Sequence, residues 1–298
     1  RMRTSLPDVY ACGDCAENVS IVDGHRFYRP LGSTANKTGR IAGDAVTGGP
    51  LEHRGVAGTG IFRVFNRTVA ATGLNEREAR ATGRDVVVSH NIKPDRPEYF
   101  GGREMVIKTL ADRADGTILG VQIVGFEGVD KRIDVLVTAM TAGLKAADLF
   151  HLDLAYAPPF ATTKDPVHYT GMILDNAIAQ GRDIITADRL AAAGEGAYSV
   201  IDARTPGQYE AGHLPGAISL PQEDARGAPP PADPDKPVVI YCNKGVTGNA
   251  VQNILLHKGY KKVFNLSGGY RQAETCRRLE DVRSGADCGS GSPDGARG

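Results

Sequence analysis

The sequence predicts a protein of two parts, an α+β region followed by an α/β region. Two patterns carry that prediction. From Gly55 to Ala142, strand-like apolar runs follow one another and a helical run closes the set. From Pro237 to Leu256, a continuous apolar run passes through a glycine-bearing loop into an amphipathic stretch: a strand, a loop and a helix. At 298 residues the chain has the length of about two domains.

Composition narrows the class. The 35 basic and 35 acidic residues balance, so nothing favours nucleic acid or an anionic membrane as a partner. A hydrophobic share of 41%, with 37 Gly and 17 Pro, is that of a soluble, loop-rich globular protein. No apolar run approaches the roughly 18 residues of a membrane span, and no signal-peptide pattern opens the chain. Five cysteines, an odd number, point to a reducing, cytoplasmic setting.

In chain order, Val9-Tyr10-Ala11 reads as a short strand and Gly13-Asp14 as a turn into a helix. Asp14 could accept a hydrogen bond from a ligand hydroxyl or cap that helix. Cys12 and Cys15 form a Cys-x-x-Cys, but no second pair at ligand spacing follows, which argues against zinc and leaves the pair incidental. Strands are expected at Thr59–Phe65, Asp85–Ser89, Glu104–Lys108 and Ile118–Gly125. Asn75 should cap a helix that begins at Glu76, and Ala114-Asp115-Gly116 should turn a hairpin. A helix from about Asp130 to Ala142 gathers Ile133, Leu136, Val137 and Met140 on one face. Leu154–Phe160 contains Pro158 and Pro159 and should be extended. Tyr169–Gln180 reads as a closing helix, and Gly181-Arg182-Asp183 as the start of a linker.

Beyond the linker, Thr186 could cap a helix at Ala187–Ala193, and Ser199–Ala203 reads as a buried strand. The Pro-rich stretch 227–234 is expected to be a stiff surface loop. Val263–Leu266 reads as a strand ended by Ser267-Gly268-Gly269. Past about Arg278 the chain is Gly-, Ser- and Asp-rich and is expected to be disordered. Neither Cys276 nor Cys288 has a recognisable setting.

The stretch with the most chemistry is Tyr241-Cys242-Asn243-Lys244-Gly245-Val246-Thr247-Gly248. Cys242 falls where a strand ends and a helix is about to begin. Unpaired backbone N–H groups collect there, the helix dipole adds partial positive charge, and Lys244 adds a full one. All three favour a thiolate and predict a reactive sulfur. Gly245 and Gly248 would let the backbone curl around an anion, with no packing reason of their own.

This loop resembles the active-site loop of a rhodanese (sulfurtransferase) domain, whose cysteine carries sulfane sulfur as a persulfide cradled by loop amides. Cys-Asn-Lys-Gly-Val-Thr differs at one place from the Cys-Arg-Lys-Gly-Val-Thr of thiosulfate-using members, with Asn243 where they have arginine. The loop lacks the length and the arginine of a Cys-x5-Arg phosphatase. Asp202-Ala203-Arg204 resembles the family's Asp-x-Arg strand end, and Glu210-Ala211-Gly212-His213-Leu214-Pro215-Gly216-Ala217 its following turn. Asp202 and Arg204 are expected to bond structurally near Cys242. His213 belongs to a turn built for shape and is not read as a base.

The rest of the chain resembles the pyridine-nucleotide disulfide reductases. Thr4-Ser5-Leu6-Pro7-Asp8-Val9-Tyr10-Ala11-Cys12-Gly13-Asp14 is similar to their second flavin motif. The resemblance implies that Asp14 and Gly13 hold FAD, with Ser33 on the following helix close to the flavin. Gly58–Phe62 and Thr72–Glu76 fit the family's dimerisation domain. Tyr156-Ala157-Pro158-Pro159, with Lys164-Asp165-Pro166, resembles the coenzyme A-disulfide reductase branch. There the tyrosine matching Tyr156 assists thiol chemistry in the partner subunit; equally, its ring and hydroxyl suit a residue that closes the interface core. The resemblance implies a remnant of an FAD-binding domain at 1–50, a dimerisation domain at 51–180, a rhodanese domain with a parallel sheet at 181–275 and a tail at 276–298. It also implies a homodimer that uses FAD and NAD(P)H to reduce a disulfide, persulfide or polysulfide of coenzyme A or another small thiol. No nucleotide-binding Gly-x-Gly-x-x-Gly and no flavin-side redox cysteine are found. A truncated parent is therefore expected, with sulfur transfer at Cys242 as the activity retained. The alternative is a non-catalytic dimerisation and sulfur-binding module.

Overall fold

The computed structural model describes residues 1–227 and 232–284. The chain divides into two compact units, Arg1–Gly181 and Arg182–Gly298.

The first unit opens with irregular chain. Val9-Tyr10-Ala11 does not form the expected strand; it contributes one isolated bridge, Arg3 to Tyr10. Gly13–Cys15 is a single 3-10 turn rather than the start of a helix. A two-residue antiparallel pair follows, β1 (Asn18–Val19) with β2 (Arg26–Phe27). The helix expected after Pro30 is α1 (Gly32–Val46).

The main sheet of this unit is antiparallel, in the order β3-β4-β7-β6-β5. Its strands are β3 (Gly60–Val64), β4 (Arg67–Gly73), β5 (Val86–Pro94), β6 (Glu104–Asp112) and β7 (Ile118–Gly125). Between β4 and β5, α2 (Glu76–Ala81) is capped as the sequence predicts. The Asn75 side chain accepts from the Glu78 amide at 3.0 Å, and Glu78 returns the bond to the Asn75 amide at 2.9 Å. Five strands stand where four were foreseen. The addition is β4, whose middle is Ala70, Ala71 and Thr72, residues too small to give a clear alternation. Met105, Ile107 and Ile123 pack against Ile133 and Leu136 of α3 (Val129–Thr141) and Val167 of α4 (Pro166–Ile178).

One buried ion pair fastens the segment before α4. Arg132, 1% exposed, bonds the Asp165 carboxylate at 2.8 Å and the Asp95 carbonyl at 2.8 Å. Asp165 also caps α4 through the Val167 amide.

The second unit is a parallel five-stranded sheet, in the order β10-β9-β11-β12-β8. It comprises β8 (Ile184–Ile185), α5 (Ala187–Ala192), β9 (Ser199–Asp202), α6 (Pro206–Glu210), β10 (Ile218–Ser219), β11 (Val238–Tyr241), α7 (Val246–His257), β12 (Val263–Leu266) and α8 (Gly269–Ser284). The central β11 is buried on both faces, which is why it reads as an unbroken apolar run. Val238 and Ile240 join Val251 and Leu255 of α7, while Val239 and Tyr241 join Ala273 of α8. Two-residue β8 and β10 are too short to leave a periodic signal. Thr186 precedes α5 without a side-chain cap bond. Helix α8 runs to Ser284, so the stretch expected to be a tail from 276 begins inside a helix. Residues 285–298, with Cys288, and the Pro-rich stretch at 228–231 lie outside the described residues. No described helix is long and apolar enough to cross a membrane.

Burial is uneven within the first unit. Among residues 1–50 the buried apolar side chains are Ala42 and Ala45, whereas β5 to β7 bury Met105, Ile107, Leu119 and Ile123 at 1% exposure or less. Low local burial means low-energy opening. Amides of residues 1–50 are expected to exchange well before those of β6 and β7 in a hydrogen-exchange time course. Equal protection of the two regions would refute this.

Candidate active site

Strand β11 delivers Cys242 to the carboxyl edge of the parallel sheet, the side on which α/β folds place their sites. The thiol is nearly buried, at 5% exposure. The Gly245 amide donates to Cys242 Sγ at 3.1 Å. Gly245 has a φ of +100°, a conformation suited to glycine, and it begins α7. The helix starts at Val246, three residues earlier than its apolar pattern suggests, so Val246, Thr247 and Gly248 form its first turn. Val246 is exposed and Gly248 buried, with Asn243, Lys244 and Thr247 half-buried between them.

A second helix holds the loop from behind. The Tyr270 amide at the start of α8 donates to the Cys242 carbonyl at 2.8 Å, and the Arg271 amide to the Asn243 carbonyl at 3.2 Å. The backbone of Gly269, at φ +61°, comes so close that an added Cβ would lie 2.3 Å from the Cys242 oxygen.

Beneath the loop, Asp202 and Arg204 form the expected ion pair, 2.7 Å apart and almost fully buried. Asp202 pairs in register with Tyr241, which precedes the cysteine. Arg204 stacks 3.9 Å from the Tyr270 ring centroid and also bonds the Gly212 carbonyl at 2.6 Å. Burial works to lower the Arg204 pKa, but the hydrogen bonds and charge of Asp202 outweigh it and the net shift is upward. Burial, reinforced by Asp202, pushes the Tyr241 phenol up, so it stays protonated, and its oxygen accepts from the Leu214 amide at 3.1 Å. His213 is exposed, stacked on Tyr209 at 4.0 Å, and hydrogen-bonded through Nδ1 to the Tyr209 carbonyl.

Sequence reasoning missed Asn265 on β12 and the packing reason for Gly248. Asn265 Nδ2 donates to the Gly245 carbonyl at 2.9 Å. An added Cβ on Gly248 would sit 2.4 Å from Asn265 Oδ1. Packing against Asn265 is thus a reason for glycine there.

The remaining predicted residues belong to the first unit. Tyr156 is half-exposed and lines a groove of about 460 Å³ with Asp95, Arg96, Glu127, Lys131 and Phe160. Gly13 and Asp14 form the 3-10 turn, and the Gly13 amide donates to Thr38 Oγ1 of α1 at 3.0 Å. Asp14 and Ser33 are exposed on adjoining elements, and α1 has no side-chain cap at its amino end. A free carboxylate beside small residues and open helix amides fits a cofactor that carries hydroxyls and phosphates. Cys12, Cys15 and Cys276 are free thiols. Among the described residues no group of three or more His, Cys, Asp or Glu could hold a metal ion.

Comparison with known proteins agrees with this division. Residues 61–166 match the pyridine nucleotide-disulphide oxidoreductase dimerisation domain, and residues 186–275 match the rhodanese-like domain. The chain therefore joins the dimerisation domain of a coenzyme A-disulfide-reductase-like oxidoreductase to a rhodanese-like domain. The chain is similar to the crystal structure of reduced CoADR-RHD from Bacillus anthracis, with a TM-score of 0.89 at 33% identity over 93% of this chain and 50% of that one. An NAD-dependent persulfide reductase from A. fulgidus gives a TM-score of 0.78 at 34% identity over 90% of this chain and 48% of that one. The NAD(P)H sulfur oxidoreductase (CoA-dependent) of Pyrococcus furiosus is 40% identical over 175 residues, 58% of this chain and 39% of that protein. The coenzyme A disulfide reductase of Staphylococcus aureus is 30% identical over 57% of this chain and 39% of that protein. The chain spans about two fifths of these curated relatives.

Removing one partner of a buried pair leaves the other charge uncompensated. Asp202→Asn is expected to destabilise the protein by about 3–5 kcal/mol, and the double change Asp202→Asn with Arg204→Met by less. Urea denaturation measures both; equal losses in the two variants would contradict the account.

Proposed function

We propose that the chain carries the sulfur-transfer and dimerising parts of an FAD-dependent NAD(P)H:CoA-disulfide, persulfide or polysulfide reductase, and that Cys242 carries sulfane sulfur as a persulfide. The observation behind this is the Gly245 amide on Cys242 Sγ, 3.1 Å away, at the amino end of α7. A donor amide and a helix dipole stabilise negative charge on sulfur, both in the attacking thiolate and in the leaving thiolate of the second step.

The Cys242 thiolate attacks the terminal sulfane sulfur of a donor. The donor's S–S bond breaks, its remaining thiolate leaves, and Cys242 holds the sulfur through a new S–S bond. An acceptor thiolate or cyanide then attacks the outer sulfur, and the Cys242 thiolate departs. Asn243 leaves the mouth one cation poorer than the arginine-bearing loops, which weakens its hold on the thiosulfate dianion.

In the first unit, Gly13, Asp14 and Ser33 would hold FAD. That cofactor, reduced by NAD(P)H, would supply the electrons that convert a disulfide or persulfide to thiol. Tyr156 would serve the thiol chemistry of a partner subunit in a homodimer. Coenzyme A or another small thiol would be the carrier between sites.

Sulfur transfer by the purified chain tests the reading, with thiosulfate and polysulfide as donors and cyanide as acceptor. Turnover is expected with polysulfide and is expected to vanish in Cys242→Ser, with a sulfur adduct on Cys242 in the mass spectrum of the parent. Absence of both turnover and adduct would leave a non-catalytic dimerisation and sulfur-binding module.

A further inference from the structure

We infer that Asn265 is a positioning residue for sulfur transfer: through Gly245 it sets the backbone hydrogen bond on Cys242 Sγ, and Gly248 is glycine to make room for it. The inference rests on Cys242 being the sulfur carrier.

Asn265 sits on β12 beside Ile240 of β11, two residues before the cysteine, and it is 8% exposed. Its Nδ2 reaches the Gly245 carbonyl at 2.9 Å, the same oxygen that accepts the Asn249 amide at 3.0 Å in the first turn of α7. Gly245 is thus held at its carbonyl by a side chain from a neighbouring strand, while its amide points at the sulfur. With φ at +100°, Gly245 has no side chain to fix it, so the two bonds at its carbonyl fix it instead.

The other end of the amide is the second, independent observation. Asn265 Oδ1 is buried and has no hydrogen-bond partner. A buried acceptor without a donor is costly, so something must hold it there. Turning the amide over would set Oδ1 against the Gly245 carbonyl, oxygen to oxygen. The bond to Gly245 therefore fixes the orientation, and Oδ1 is left facing Gly248. A Cβ at Gly248 would be 2.4 Å from Oδ1 and would press Asn265 off Gly245. A valine, the ordinary choice for a buried strand position, would fill the space but release the loop.

Three variants test this: Asn265→Asp, Asn265→Ala and Gly248→Ala. Asn265→Asp keeps the shape but replaces the donor with an acceptor. It should lower kcat for sulfur transfer by about 10- to 100-fold with the donor KM unchanged. It should also slow alkylation of Cys242 by iodoacetamide, a readout that needs no sulfur transfer. Gly248→Ala should slow alkylation when Asn265 is present and have no further effect in the Asn265→Ala background. This cycle remains readable if the aspartate variant folds poorly. Alkylation at the parent rate in Asn265→Asp, or an equal Gly248→Ala effect in both backgrounds, overturns the inference. Failure of the parent to transfer sulfur, with the alkylation effects intact, would instead count against the carrier reading alone.

Discussion

The second unit depends on one close approach: the Gly269 backbone lies against the back of the Cys242 loop, in space that a Cβ would need. From that position the amides of Tyr270 and Arg271 reach two loop carbonyls. The loop is therefore bonded by helix amino ends on both sides, α7 in front and α8 behind. Carbonyls at the end of a buried strand would otherwise go unpaired, and their partners here are the donors that a helix start leaves over. The same arrangement turns N–H dipoles toward the loop and gives the sulfur an electropositive setting without a histidine. His213, stacked on Tyr209 and bonded to its carbonyl, is consistent with that economy.

Each unit also buries one arginine against one aspartate, Arg132 with Asp165 and Arg204 with Asp202. Such pairs add little net stability compared with apolar residues of the same size. Their value here is geometric. Arg132 collects the Asp95 carbonyl, the Gly128 carbonyl and the Asp165 carboxylate, which ties the end of the Tyr156 to Asp165 segment to the start of α3. Arg204 collects Asp202, the Gly212 carbonyl and the face of Tyr270. In both places a planar side chain with five donors helps to set the mutual position of the segments it bonds.

Much of this was legible in the sequence, for identifiable reasons. The long strands β5, β6 and β7 and the apolar β11 carry strong periodic or continuous signals. The Asn75 cap and the Cys242 loop have local signatures that depend on few neighbours. What escaped depends on tertiary context. Asn265 reads as a weak strand residue, because its use lies in a carbonyl twenty positions earlier. Gly248 looked like room for an anion, because a side chain from another strand cannot be seen from within the loop. Strand β4 was hidden by its small residues, which are small because α3 packs over them. The first turn of α7 was hidden because Val246 and Thr247 are poor helix formers that the end of β11 nonetheless brings into helix.

The order of the parallel sheet has a consequence for synthesis. Strand β11 is central, and its neighbour β12, the Asn265 amide and the two α8 amides behind the loop all come from residues made after Cys242. A growing chain that has reached the end of α7 already contains the whole loop sequence but none of these supports. The loop stays unsupported until the chain through Arg271 has left the ribosome and paired, because long-range strand pairing must precede the contacts it permits. The Gly245 amide is thus fixed against the sulfur only when the fold is complete. A nascent or damaged chain that stops short presents the cysteine without the bonds that shape its loop.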